Sequence, residues 1–82
     1  MRHLLYFTAD WCNPCQRTKP FAEELISEGA NIKFIDADSE VDMVKNFNVL
    51  SIPTFILIEN GEEIARTNGA KTKDQLKDFL NG

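Results

Sequence analysis

The longest clear apolar stretches of this chain are four residues each, Leu4-Leu5-Tyr6-Phe7 and Phe55-Ile56-Leu57-Ile58. Runs this short suit strands buried on both faces and fall far below the roughly 20 residues that cross a bilayer. Elsewhere the apolar residues take helical spacing. Phe21, Ala22, Leu25 and Ile26 predict a helix that begins near Asn13 or Pro14, kinks near Lys19 ahead of Pro20, and stops at Gly29. Ile32, Phe34 and Ile35 then read as a second strand ending at Asp36. Asp38 and Ser39 are placed to cap a short helix whose inner face carries Val41, Val44 and Phe47.

Thr54 to Ile58 is the most apolar strand and is expected to be central, and Asn60-Gly61 is the strongest hairpin signal. That turn would join it, antiparallel, to an edge strand over Glu63–Thr67. Thr72 can cap a last helix with Asp74 and Gln75 in its first turn and Leu76, Phe79 and Leu80 facing inward. The order βαβαββα defines an α/β chain. Parallel pairing with right-handed crossovers is expected first, then one antiparallel hairpin.

Length and composition fit one small domain over residues 1–82: 43% of the residues are hydrophobic and 27% charged. The formal net charge of −4, without a run of like charges, argues against nucleic acid as a partner. Polar and charged residues interrupt the first ten positions, unlike a signal peptide, and the chain is read as cytoplasmic, monomeric and not membrane-bound.

Only two cysteines occur, spaced three apart in Trp11-Cys12-Asn13-Pro14-Cys15. A structural disulfide closing so small a loop would add only roughly 2 kcal/mol before strain, and a cytosolic setting would tend to reduce it. A closed zinc site wants four ligands, whereas the one histidine, His3, sits nine residues upstream. No metal or cofactor is expected. A redox pair fits better, because residues i and i+3 in a first helical turn share a face. Cys12 at the helix N-terminus would be the exposed nucleophile, its thiolate favoured by the helix dipole. Cys15, one turn in, would be the buried resolving thiol.

These residues resemble the thioredoxin family. The stretch Phe7 to Cys15 is similar to its active-site segment, Ser51-Ile52-Pro53-Thr54 to its Ile-Pro-Thr motif with a cis proline, Asn60-Gly61 to its hairpin, and Gly69-Ala70 to its glycine loop. The resemblance implies a thioredoxin-like fold with a four-stranded mixed sheet and three helices on both faces. It also implies catalysis by Cys12 and Cys15, with Trp11, Asn13, Pro14, Ile52, Pro53 and Gly69 contacting substrate. The implied partners are protein disulfides and an electron donor, either a thioredoxin reductase or glutathione.

Departures from the family pattern also carry information. The chain starts at what would be the family's second strand. Tyr6 stands where the family keeps a buried Asp, Phe34 where it keeps a neighbouring Lys, Asn13 for the usual glycine, and Gln16 for the usual lysine. A phenol with a pKa near ~10 is a poor general base at neutral pH. Two other functions are compatible with these residues: a glutaredoxin-like thiol transferase, which the small size favours, and a non-catalytic binding subunit of the same fold. Asn68-Gly69-Ala70-Lys71 does not match a glutathione motif.

Overall fold

The computed structural model describes residues 1–82. Its elements are β1 (Arg2–Thr8), α1 (Asn13–Ser27), β2 (Ile32–Asp36), α2 (Val41–Asn46), β3 (Thr54–Glu59), β4 (Glu62–Asn68) and α3 (Lys73–Asn81). They form one sheet in the order β2-β1-β3-β4, with β4 at the edge and β1 and β3 in the middle. β1 runs two residues earlier and one later than its apolar run. Backbone pairing to β3 reaches Arg2, and pairing to β2 reaches Thr8.

One expectation of pairing is corrected. β1 and β2 are parallel, as the crossover through α1 predicts, but β3 lies antiparallel to β1. The short α2 and the bend before Pro53 return the chain into the opposite direction on the other side of β1. Side chains alternate across each strand, so every central strand feeds two cores. Leu4, Tyr6, Phe55 and Leu57 meet Ala22 and Leu25 of α1 and Leu76 of α3. On the other face Leu5, Phe7, Ile35, Ile56 and Ile58 meet Val49, with Met43, Val44 and Phe47 closing over them.

The inner faces of the helices differ in detail from their apolar spacing. In α1 the buried residues are Cys15, Thr18, Ala22 and Leu25, while Phe21 and Ile26 sit at the flanks, over a third exposed. Thr18 escaped notice because it is polar, yet its hydroxyl is satisfied by a carbonyl one turn back, at Pro14 (3.1 Å). In α2, Met43 turns inward and Val41 is 48% exposed. Asp38 and Ser39 do not cap α2, whose N-cap is Glu40. The Asp38 amide instead donates to the Asp36 carboxylate, and its own carboxylate is engaged by Trp11.

Both α1 and α2 end in the same device. Gly29 and Asn48 adopt positive φ (102° and 53°), and the amides that follow reach back to Leu25 and Val44. This is the 6→1 and 5→2 closure that satisfies the last carbonyls of a helix. α3 opens on the expected cap: Thr72 accepts from the Gln75 amide, and the Gln75 side chain accepts from the Thr72 amide. The Asn60-Gly61 turn has positive φ at both residues, as a two-residue hairpin of this type requires.

Burial rather than residue type sets the energetic weight of each leucine. Leu76→Ala is expected to cost about 2–5 kcal/mol, because it empties space shared by α1, α3 and the sheet. Leu50→Ala, at a position 89% exposed, is expected to stay within about 0.5 kcal/mol. Urea midpoints of the two variants check the contrast.

Candidate active site

α1 starts where β1 ends, and the link between them is a tight turn. The Cys12 amide donates to the Ala9 carbonyl at 3.1 Å, and the Gln16 side-chain amide donates to the same oxygen at 3.0 Å. Cys12 is the N-cap, and its Sγ accepts from the Cys15 amide at 3.3 Å. Sulfur thus occupies the place that a Ser, Thr or Asp oxygen usually fills. Pro14 lies within the first turn, where a missing N–H leaves no bond unmade. The two sulfurs are joined as a disulfide, with Cα atoms 5.2 Å apart.

Cys15 is fully buried and Cys12 is 4% exposed. The expected order of accessibility holds, but Cys12 is far less exposed than its position suggested. Ala9 and Ile52 pack against the pair and leave little of Cys12 open. Trp11, by contrast, is 67% exposed. Its indole N–H donates to Asp38 at 2.9 Å, which fixes the ring beside a cleft of about 320 Å³ lined by Ala37, Val44, Val49, Leu50 and Ile52. Asn13 is exposed and Pro14 half-buried at the top of the helix.

The Ile52–Pro53 peptide is cis and Pro53 is buried. Ile52, which touches the cysteine pair, makes no hydrogen bond through either its N–H or its C=O. Gly69 is tied to this loop, its amide donating to the Pro53 carbonyl at 3.0 Å. Within the chain itself, Gly69 is called for by its backbone: φ is +86°, and an added Cβ would meet only the Lys71 ammonium at 3.8 Å.

Behind the pair, Tyr6 is fully buried and donates its phenol O–H to the Cys15 carbonyl at 2.6 Å. Phe34 and Phe55 hold its ring, with centroids 5.3 and 4.6 Å away. Burial pushes the Tyr6 phenol up to about 12, against the smaller opposing effect of the Thr18 and Thr8 hydroxyls. Thr8 Oγ1 is the one buried side-chain oxygen without a partner. Sequence reasoning found Tyr6 but missed Thr18. The available signal was its spacing, three residues after Cys15 and four before Ala22, on the buried stripe of α1.

A parallel β1–β2 pair, two further antiparallel strands and a CxxC disulfide capping the first helix beside a cis-proline loop define a thioredoxin-fold dithiol protein. The comparisons agree: the family model described as Thioredoxin matches residues 1–82, and the chain belongs to the thioredoxin family. It is 41% identical over 76 residues to the bifunctional thioredoxin reductase/thioredoxin of Mycobacterium leprae, covering 89% of this chain and 17% of that protein. It is 40% identical over 73 residues to thioredoxin H2 of Arabidopsis thaliana, covering 87% of this chain and 54% of that one. The chain therefore spans about half or less of these two relatives. A solved mutant thioredoxin from Halobacterium salinarum superposes with a TM-score of 0.91 at 33% identity, over 98% of this chain and 72% of its own.

The raised phenol gives a pH prediction. Between the ordinary value of 10.0 and about 12 the unfolded chain ionises while the folded one holds its proton. Tyr6 then contributes a loss of stability that sets in as the pH rises through 10 and levels off above about 12. Since Tyr6 is the only tyrosine, phenolate absorbance reports on it alone. Folded protein should show little phenolate at pH 10.5, where an ordinary tyrosine is mostly ionised, and Tyr6→Phe should flatten the alkaline fall in unfolding free energy.

Proposed function

We propose that this chain is a protein-disulfide reductase, a single thioredoxin-like domain over residues 1–82 acting through Cys12 and Cys15. The observation that carries this reading is the disulfide at a helix N-terminus, packed against Ile52, whose main chain is unpaired. In the reduced form the first-turn amides favour negative charge on the Cys12 sulfur. That thiolate attacks one sulfur of a substrate disulfide, the substrate S–S bond breaks, and the departing substrate thiolate takes up a proton.

Cys15 then gives up its proton and attacks the Cys12 sulfur. The mixed disulfide breaks, the second substrate sulfur leaves as a thiolate and is protonated, and the Cys12–Cys15 disulfide closes. Two electrons pass from the dithiol to the substrate. The free N–H and C=O of Ile52 are placed to pair with an extended substrate segment, as in strand addition. Trp11, Asn13, Pro14, Pro53 and Gly69 line the approach to the sulfurs.

The electron donor we infer is a thioredoxin reductase, the activity that the name of the Mycobacterium leprae relative joins to thioredoxin in one protein. Reduction as the working direction places the protein in a reducing compartment, the cytoplasm, and a monomer suffices because both cysteines come from one chain. No helix is long and apolar enough to cross a membrane.

Insulin-disulfide reduction tests the reading. Turnover is expected with thioredoxin reductase as donor, and glutathione in its place should support less. Cys12→Ser should abolish turnover, whereas Cys15→Ser should trap a mixed disulfide detectable by mass spectrometry. Absence of turnover with either donor would refute the proposal.

A further inference from the structure

Two buried hydroxyls hold the Cys12–Cys15 turn from behind. Tyr6, on β1, donates to the Cys15 carbonyl at 2.6 Å. Thr18, fully buried on α1, donates to the Pro14 carbonyl at 3.1 Å and accepts from the Lys71 amide, also at 3.1 Å, 53 residues along the chain. Lys71 does not stop there. Its ammonium donates to the carbonyls of Asn68 and Gly69, and the Gly69 amide donates to the Pro53 carbonyl.

The bonds therefore run from the cysteine helix through Thr18 to the 69–71 loop, and from that loop to the Ile52-Pro53 segment that touches the disulfide. Both banks of the approach to the sulfurs, the first turn of α1 and the loops opposite, are connected through one hydroxyl. Thr18 reaches no substrate itself. A valine would fill the same space without bonding either partner, leaving the Lys71 amide without its recorded acceptor.

We propose that Thr18 is a positioning residue for disulfide exchange: its hydroxyl ties the cysteine helix to the Gly69 loop and fixes the width of the substrate groove, while Tyr6 holds the Cys15 carbonyl. This rests on the protein-disulfide reductase reading above. Groove width matters for a polypeptide, which must lie extended against Ile52 while its sulfur meets Cys12. It matters much less for a small aromatic disulfide, which needs to reach only the Cys12 sulfur and not to lie along the groove.

The test compares Thr18→Val, Thr18→Ser and wild type with insulin and with dithiobis-nitrobenzoate as alternative substrates. For Thr18→Val, kcat/KM on insulin should fall roughly tenfold, chiefly through KM, as follows from breaking a buried hydrogen bond of this kind. The rate with the small disulfide should change less than twofold, and Thr18→Ser should restore insulin reduction. Equal losses on both substrates, or no rescue by serine, would show a merely structural role and overturn the proposal.

Amide hydrogen exchange on wild type gives a readout that does not depend on any variant folding. The Lys71 amide should exchange at least tenfold more slowly than that of Ala70, which makes no hydrogen bond. Equal exchange at the two sites also overturns the proposal. Wild-type protein unable to reduce insulin would refute the reductase reading instead, whereas active wild type with an equally active Thr18→Val sinks the Thr18 role alone.

Discussion

The bond from the Cys15 amide to the Cys12 sulfur is the interaction on which the rest of the site depends. It starts α1, it sets the two sulfurs on one face of the first turn, and it points an amide of the helix end at the Cys12 sulfur. The sheet then fixes where this turn lies. β1 leads directly into it, and β1 is held on both sides, by β2 and β3. A displaced β1 would carry Tyr6 away from the Cys15 carbonyl and Ala9 away from the Cys12 amide.

The backing of the pair is neutral. Where the family resemblance leads one to expect a buried carboxylate and a lysine, the structure has a phenol bound to a backbone carbonyl and an aromatic ring packed against it. Lysine is present nearby in another form, the Lys19 ammonium lying 5.7 Å from the centre of the Phe34 ring. A phenol pushed up to about 12 neither takes nor gives a proton in the neutral range. What it supplies is geometric, a hold on the Cys15 carbonyl, while an amide of the helix end faces the Cys12 sulfur.

Much of this was legible in the chain. Apolar runs located the central strands, Asn60-Gly61 located the hairpin, and Thr72 with Gln75 located the last helix start, because each of these signals is local. The direction of β3 was not legible, since pairing partners lie some fifty residues apart and either direction buries the same side chains. Asp38 misled for a related reason: a carboxylate before a helix reads as a cap, and only the fold brings Trp11 within 2.9 Å of it. Thr18 was hidden because a threonine on an inward face gains its value from Lys71, which no spacing rule connects to it. The cysteine pair could be recognised from sequence, whereas the near-complete covering of Cys12 by Ala9 and Ile52 required the folded loops.

The sheet has two open borders, β2 and β4, each with a row of main-chain groups facing solvent. On β4 the border is guarded by Glu62, Glu63 and Arg66, and its ladder is interrupted opposite Leu57 and Ile58. On β2 it is short and carries Lys33 and Asp36. Such borders discourage casual pairing with another chain. Ile52 presents the same kind of unpaired main chain with an apolar side chain against the sulfurs and no charge of its own. Charged side chains thus stand along both borders of the sheet, and the uncharged, unpaired stretch of main chain is confined to one point, beside the two sulfurs.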